Sequence, residues 1–438
     1  MSTVKRDFGS FHASNVQELL DLSNEEYTPP PAPFTCPKFD KYRTETPHFG
    51  KDMRNKHFHL EEDCVFLNHG AFGGVLREAL ETAQKYQVWV EKQPLRFYDR
   101  ELLPRLVYVT RRIAQFVGCD RRDLVLVENA TTALNTVIQS VPLGPGEKLF
   151  CLSTTYGAVK KMLSWCCEQT GAHLCQATVD FPITDEQQLV DLVERNLEAG
   201  TKLAVFDHIS SNTPFVMPIK DIIRVCHEKH IPVLVDGAHA LGSLHLDISS
   251  LDADYYVTNA HKWLCAPKGT ALMYVRRELQ EKTRPLIVSH GFGSGFNSEF
   301  IWAGLHDYSP FLALHTVLDF WETLGVESIL NYTHDLAKKA GDMLVKAWGT
   351  ELAAPPHMFG SMSLVGLPPS LYAQEKPADY SVAEKIQNDL YHQYNMEVPV
   401  KSVQGRLYVR ISAHIYNHLG EYELLRDAVI GKMQENKN

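Results

Sequence analysis

Basic charge is in short supply in this chain. Its 43 lysines and arginines are outweighed by 53 aspartates and glutamates, leaving a net charge of −10. Nucleic acid and anionic membrane surfaces both favour the opposite sign, so neither is expected as a partner. Long apolar runs are missing as well. None approaches the roughly 18 residues that cross a bilayer, and the N-terminal MSTVKRDFGSFHASNVQELL has no apolar signal core, which argues against secretion. The nine cysteines are scattered, with no CxxC among them. Neither a zinc ribbon nor a disulfide framework is expected from such spacing, and a reducing cytoplasm suits it. His227 and His230 miss the i, i+4 spacing of HExxH, which removes the zinc-protease reading. No metal site is expected.

What is present is an ordinary globular composition, 44% hydrophobic and 22% charged over 438 residues, a length that predicts two or three domains. Residues 1–60 read as an extension containing the helix-breaking run TPPPAP at 28–33. An amphipathic helix is predicted over 75–92. Short apolar strands and helices then alternate. Strands are predicted at 124–127, 148–152, 203–206, 233–235, 255–257 and 270–275, and helices at 132–140, 157–169, 186–198 and 219–229. Alternation of this kind predicts an α/β domain, 61–310, with a mainly parallel sheet flanked by helices. Longer helices at 310–324 and 328–348, with a final strand at 406–412, predict a smaller α+β domain, 311–438. In such sheets ligands sit at the carboxyl ends of the strands.

Two strand ends carry the chemistry. Val233-Leu234-Val235 runs into Asp236, and Tyr255-Tyr256-Val257 leads to His261-Lys262-Trp263. An acid and a lysine so placed are what a pyridoxal phosphate enzyme needs: the amine bonds the cofactor aldehyde and the acid keeps the pyridine nitrogen protonated. Each has a plainer alternative, Asp236 as a turn or cap residue and Lys262 as a solvated surface lysine. His239 serves either a phenolic oxygen or a structural bond. Thr131 and Thr132 fall at a predicted helix N-terminus, suited to phosphate or simply to capping. Tyr156 follows another strand and either stacks on a ring or belongs to the core. Arg410, flanked by apolar residues, must pair with a carboxylate, the substrate's or an internal one. Gly291-Phe292-Gly293-Ser294-Gly295-Phe296 ends in Phe where a dinucleotide fingerprint has Gly, and reads as a flexible loop at the active-site edge.

Together with Leu67-Asn68-His69-Gly70-Ala71-Phe72-Gly73, Asp207-His208-Ile209-Ser210-Ser211, Phe300-Ile301-Trp302-Ala303-Gly304 and the run from Val409 to Asn417, these segments resemble the aminotransferase class V family. Within it they look most like the isopenicillin N epimerase-like branch, which includes plant-type L-cysteine desulfhydrases and hercynylcysteine sulfoxide lyases. The resemblance implies fold type I, with a seven-stranded sheet, and pyridoxal 5'-phosphate as cofactor. It implies Lys262 as the Schiff-base lysine, Asp236 at the pyridine nitrogen and His239 at the phenolic oxygen. Thr131, Thr132 and His261 hold the phosphate, Ser211 is a further cofactor contact, and Tyr156 stacks and belongs to the catalytic set. Arg410, Asn68 and His69 are the expected contacts of an amino-acid substrate. Family members are typically homodimers in which the segment around Trp302-Ala303-Gly304 crosses to the neighbour's cofactor.

Three departures bear on the reaction. Leu305 stands where the branch usually has Thr, with His306 next to it as a substitute donor; Ser211 stands where desulfurases commonly have Asn; and 392–410 contains no cysteine. Without a thiol there, transfer of sulfur to a carrier is not expected. The expected reaction is a C–S β-elimination on L-cysteine or a cysteine-derived thioether or sulfoxide, releasing a sulfur species, pyruvate and ammonia. Epimerisation of an amino-acid moiety is the alternative, and a catalytically silent binding protein, suggested by Leu305, is the third.

Overall fold

The computed structural model describes residues 15–372 and 378–435; the first 14 residues of the stretch examined for a signal core lie outside it. Seven strands form the main sheet: β1 (Leu124–Val127), β2 (Lys148–Leu152), β3 (His173–Ala177), β4 (Thr201–Asp207), β5 (Val233–Asp236), β6 (Tyr255–Asn259) and β7 (Ala271–Val275). Their order is β1-β7-β6-β5-β4-β2-β3. Only β7 runs antiparallel to its neighbours, which is the expected mainly parallel α/β architecture. Alternate residues of these strands feed two different cores. Phe150, Phe206, Val235 and Tyr256 pack on one face, and Cys151, Val205, Leu234 and Val257 on the other. Burial on both faces explains why the strands read as continuous apolar runs.

Within this sheet the unpredicted strand is β3. In its sequence His173-Leu174-Cys175-Gln176-Ala177 only Ala177 is buried, and the strand lies at the edge of the sheet, where one side of the ladder meets solvent and no apolar run is required. The expected helix at 310–324 is divided into Ser309–Leu312 and Leu314–Leu324, where Thr316 N–H bonds back three residues to the Ala313 carbonyl.

A second, antiparallel sheet joins Val400–Val403, Arg406–Ser412 and Met362–Gly366. Its apolar face packs with the helices Val326–Trp348, Tyr380–Tyr394 and Leu419–Glu435 into a separate core that also takes Leu67. The short strand Val65–Phe66 pairs in parallel with Met396–Glu397. The segment preceding Leu67 is therefore paired through its backbone with the C-terminal part of the chain, while Phe58 and Phe66 pack into the core on one face of the seven-stranded sheet. Near the N-terminus, Val16 and Leu20 pack against Leu106, Val107 and Trp302, and Arg105 donates to the Pro31 carbonyl at 2.9 Å. No helix among the described residues is long and apolar enough to cross a membrane.

Candidate active site

Strands β4, β5 and β6 end side by side, with Asp207 in register with Asp236 and Asp236 with Val257. Beyond their carboxyl ends lies a cleft of about 200 Å³ walled by Asp207, Ser211, Asp236, His239, His261 and Lys262, with Thr131 and Tyr156 at its sides. Lys262 sits on the loop after β6, which is pressed from two directions. A Cβ on Gly73 (φ +72°) would fall 2.5 Å from the His261 carbonyl, and one on Gly242 (φ +85°) 2.6 Å from the backbone of Trp263 and Leu264. Only glycine permits both the left-handed backbone and the close approach.

Burial dominates the electrostatics. It lowers Lys262 to about 8, against the opposing pull of Asp236. The Lys262 Nζ lies 3.2 Å from His239 Nε2. Asp236 is pushed above its ordinary value by burial, although Ala238 N–H donates to its Oδ1 at 3.0 Å. Asp207 is raised further, by burial and then by the neighbouring Asp236 charge. Two buried carboxyls with one nearby amine leave the cleft short of positive charge.

At the helix Ala130–Ser140 the cap is Asn129, whose Oδ1 accepts from Thr132 N–H at 2.8 Å and from the Thr132 hydroxyl at 3.2 Å. Neither threonine is the cap. Asn259 Oδ1 takes the Ala130 N–H at 2.9 Å, so Thr131 offers the backbone N–H left over at this N-terminus. Thr132 faces a separate apolar cavity lined also by Val16, Leu20 and Ile287, and the structure does not bring its side chain to the cleft. His261 donates from Nδ1 to the Thr270 carbonyl at 3.0 Å, and burial lowers it to about 4. In its neutral form its other ring nitrogen is therefore an acceptor. Tyr156 precedes the helix Gly157–Thr170 and remains 45% exposed, so its ring is free to lie along the opening.

Arg410 is buried, and its ligands are neutral: the Ser211 carbonyl receives Nη1, and Asn68 Oδ1 receives Nη2 at 2.9 Å. Its Nε has no partner, and no acidic side chain pairs with it among the described residues. Asn68 reaches the site only through Arg410, its amide nitrogen donating to Glu397 at 2.9 Å. His69 is not brought to the cleft wall. It lies behind Lys262, with Nδ1 2.7 Å from the Tyr416 hydroxyl and Nε2 3.0 Å from the Lys262 carbonyl. There it stacks on His414, whose Nε2 is 3.4 Å from Cys265 Sγ. The glycine-rich segment at 291–296 does not line the cleft.

Asp207, Asn129 and Asn259 received no role from sequence. Asp207 carried the same signal as Asp236, an acid closing an apolar strand (Leu203-Ala204-Val205-Phe206), and Asn129 is a standard cap residue in the right place.

The architecture is that of fold type I. A solved structure of a C-DES mutant with glycine covalently linked to its PLP cofactor superposes with a TM-score of 0.71 at 17% identity, covering 84% of this chain and 96% of that one. Residues 98–418 match the aminotransferase class-V family, and the chain belongs to it. An L-cysteine desulfhydrase of Arabidopsis thaliana is 32% identical over 86% of this chain and 90% of its own length. An isopenicillin N epimerase of Streptomyces clavuligerus is 28% identical over 84% and 95%.

Proposed function

We propose that this protein is a carbon–sulfur β-lyase acting on L-cysteine or a cysteine-derived thioether or sulfoxide. Its cofactor is pyridoxal 5'-phosphate, and the donor set of the cleft fits it. Two buried carboxyls lack a counter-charge that a protonated ring nitrogen carries, a free N–H at a helix start suits a phosphate, and the buried amine suits an aldehyde. When bound, the cofactor supplies a conjugated ring that stabilises negative charge at the substrate Cα. What supports the reading is that Lys262 and Asp236 line one cleft, while Arg410, from a distant part of the chain, bonds the carbonyl of the wall residue Ser211 and lies near enough for its charge to act on Lys262.

Asp236 holds the ring-nitrogen proton, and Thr131 with His261 holds the phosphate. Arg410, left with a buried guanidinium and neutral ligands, takes the substrate α-carboxylate. Lys262, buried at the cleft wall, would take the Cα proton with Nζ. Departure of sulfur from Cβ, followed by hydrolysis, converts L-cysteine and water to sulfide, pyruvate and ammonia. The absence of a cysteine across 392–410 supports release of sulfur to solution over its transfer to a carrier. Epimerisation needs a second acid on the opposite face, and Tyr156 is the cleft residue available for it. Incubation with L-cysteine should yield equal amounts of sulfide and pyruvate. Inversion of an amino-acid centre without pyruvate would overturn the lyase assignment in favour of the epimerase.

Arg410→Ala should raise KM about 10- to 100-fold, the scale of hydrogen bonds to a charged group, with a smaller change in kcat. Capture of pyridoxal phosphate by the cofactor-free chain should accelerate with pH and level off above about 8, where Lys262 is neutral; stopped-flow absorbance checks this.

We also propose a homodimer in the cytoplasm. Leu286, Ile287, Val288, Phe292 and Leu305 are 47%, 56%, 64%, 64% and 72% exposed, a run of apolar side chains that a second copy would cover. Light scattering should then give twice the chain mass of 49.6 kDa. Within that dimer Leu305→Thr restores one hydroxyl near the neighbour's phosphate and should tighten cofactor retention about 2- to 10-fold, the value of one hydrogen bond.

A further inference from the structure

His239 is held at both ring nitrogens, and the chemistry of its partners fixes the polarity of each contact. Trp263 Nε1 lies 3.2 Å from His239 Nδ1 in a buried contact. An indole N–H only donates, so Nδ1 must present a lone pair, and a neutral imidazole then carries its proton on Nε2. On the other side Nε2 meets Lys262 Nζ at 3.2 Å. An ammonium has no lone pair, so this second contact is a hydrogen bond only when the lysine is a neutral amine accepting from Nε2–H. Burial, together with the charges of Lys262 and Arg410, disfavours the imidazolium.

The indole itself has no freedom to turn. Trp263 is wholly buried, packs with Ile209 and Met362, and stands 4.9 Å from the His69 ring. Its own carbonyl is bonded by His414 Nε2 at 3.0 Å. The residue directly after the lysine is thus clamped at backbone and ring, with its single donor aimed at His239.

We propose that Trp263 is a positioning residue whose indole N–H locks His239 as the Nε2–H tautomer, so that the imidazole faces the cleft as a hydrogen-bond donor and never as a base. Two consequences follow from the geometry. The contact with Lys262 favours the free amine, the form that attacks an aldehyde. In the presence of cofactor, a consequence that rests on the reading given above, the same N–H is available to an anionic oxygen in the cleft. Proton abstraction then falls to Lys262 alone, because His239 has no lone pair directed at the substrate.

The test is the tautomer itself. In the full-length chain labelled with 15N in histidine and tryptophan, long-range 1H–15N correlation should show His239 protonated at Nε2 and bare at Nδ1. This pattern should hold from about pH 6 to 9, before and after saturation with pyridoxal 5'-phosphate. His239→Gln identifies the signals. A 15N–15N coupling through the hydrogen bond from Trp263 Nε1 to His239 Nδ1 should be visible in the same sample. Trp263→Phe keeps an aromatic ring at the position but removes the donor, and should yield a tautomer mixture or a titrating His239, together with a shifted visible band of the bound cofactor. A proton on Nδ1, titration of His239 in the unaltered chain, or no coupling to Trp263 would overturn the proposal. A folded Trp263→Phe chain with an unchanged His239 pattern would do so as well. The unaltered chain decides the matter if the variant does not fold. None of the cofactor-free spectra depends on the assigned reaction, so failure here and failure of the lyase reading are separately visible.

Discussion

Lys262→Ala should leave a protein that no longer holds its cofactor covalently and has lost at least about 10³-fold in turnover, since a positioned proton-transfer group alone contributes about 10²–10⁴-fold. The lysine has two duties at one nitrogen. In the proposed reading it would bond the cofactor aldehyde and would also move the Cα proton. No other cleft residue is assigned this role: His239 is proposed to point a donor at the same nitrogen, and His261 is proposed to hold the phosphate. Borohydride reduction of the loaded chain followed by peptide mapping should place the modification on Lys262 in the unaltered protein and find none in the variant. The absorbance near 420 nm that protonated lysine adducts of pyridoxal phosphate typically show should vanish with it. Recovery of unmodified Lys262 from loaded, reduced protein would remove the basis of the assignment. The alanine variant should remain folded, because the change deletes a desolvated amine from the cleft wall and leaves no cavity in a packed core.

Asp236→Asn should separate function from stability. Turnover should fall on the order of 10²–10³-fold, as when a preorganised electrostatic partner is removed from a dry site, because an amide does not hold a proton on the ring nitrogen. The cofactor-free variant should nonetheless melt higher than the unaltered chain. Asp207 and Asp236 both sit above the ordinary aspartate value of 3.8 because they are buried, Asp207 also because of its neighbour. The sign follows from proton linkage. Where the folded carboxyl keeps a proton that the unfolded one has lost, stability falls as pH rises. The cofactor-free chain should therefore lose stability from about pH 4 upwards until the folded carboxyls ionise, and the Asn variant should lose less over the same range. Differential scanning calorimetry across that pH series checks both parts. A variant less stable than the parent at neutral pH would mean that the pair is not held at this cost.

Much of this was legible before any fold was known, and for a local reason. A buried parallel strand is an apolar run, and the first polar residue after it sits at the rim where ligands bind. Asp236 and Lys262 were visible on that rule, and Asp207 obeyed it equally. The predicted strands differ from the observed ones by a residue or two at their ends, but His173–Ala177, Val65–Phe66, Met362–Gly366, Met396–Glu397 and Val400–Val403 were not predicted. The threonines at 131 and 132 marked a helix start correctly, but which of them faces the cleft depends on Asn129 closing the turn on Thr132.

What the chain by itself determined is the family and the main sheet apart from its edge strand, and it nominated the candidate reactive groups, because strand period, apolar runs and residue chemistry are written over a few consecutive positions. Only tertiary structure decided their relations. Arg410 meets Asn68 across 342 residues of sequence, His69 is drawn behind the lysine loop instead of into the cleft, and Trp263 donates to His239 across 24. Such contacts are set by strand register and by burial, which oblige each desolvated polar group to find a partner wherever the fold brings one. No local pattern encodes which partner that is.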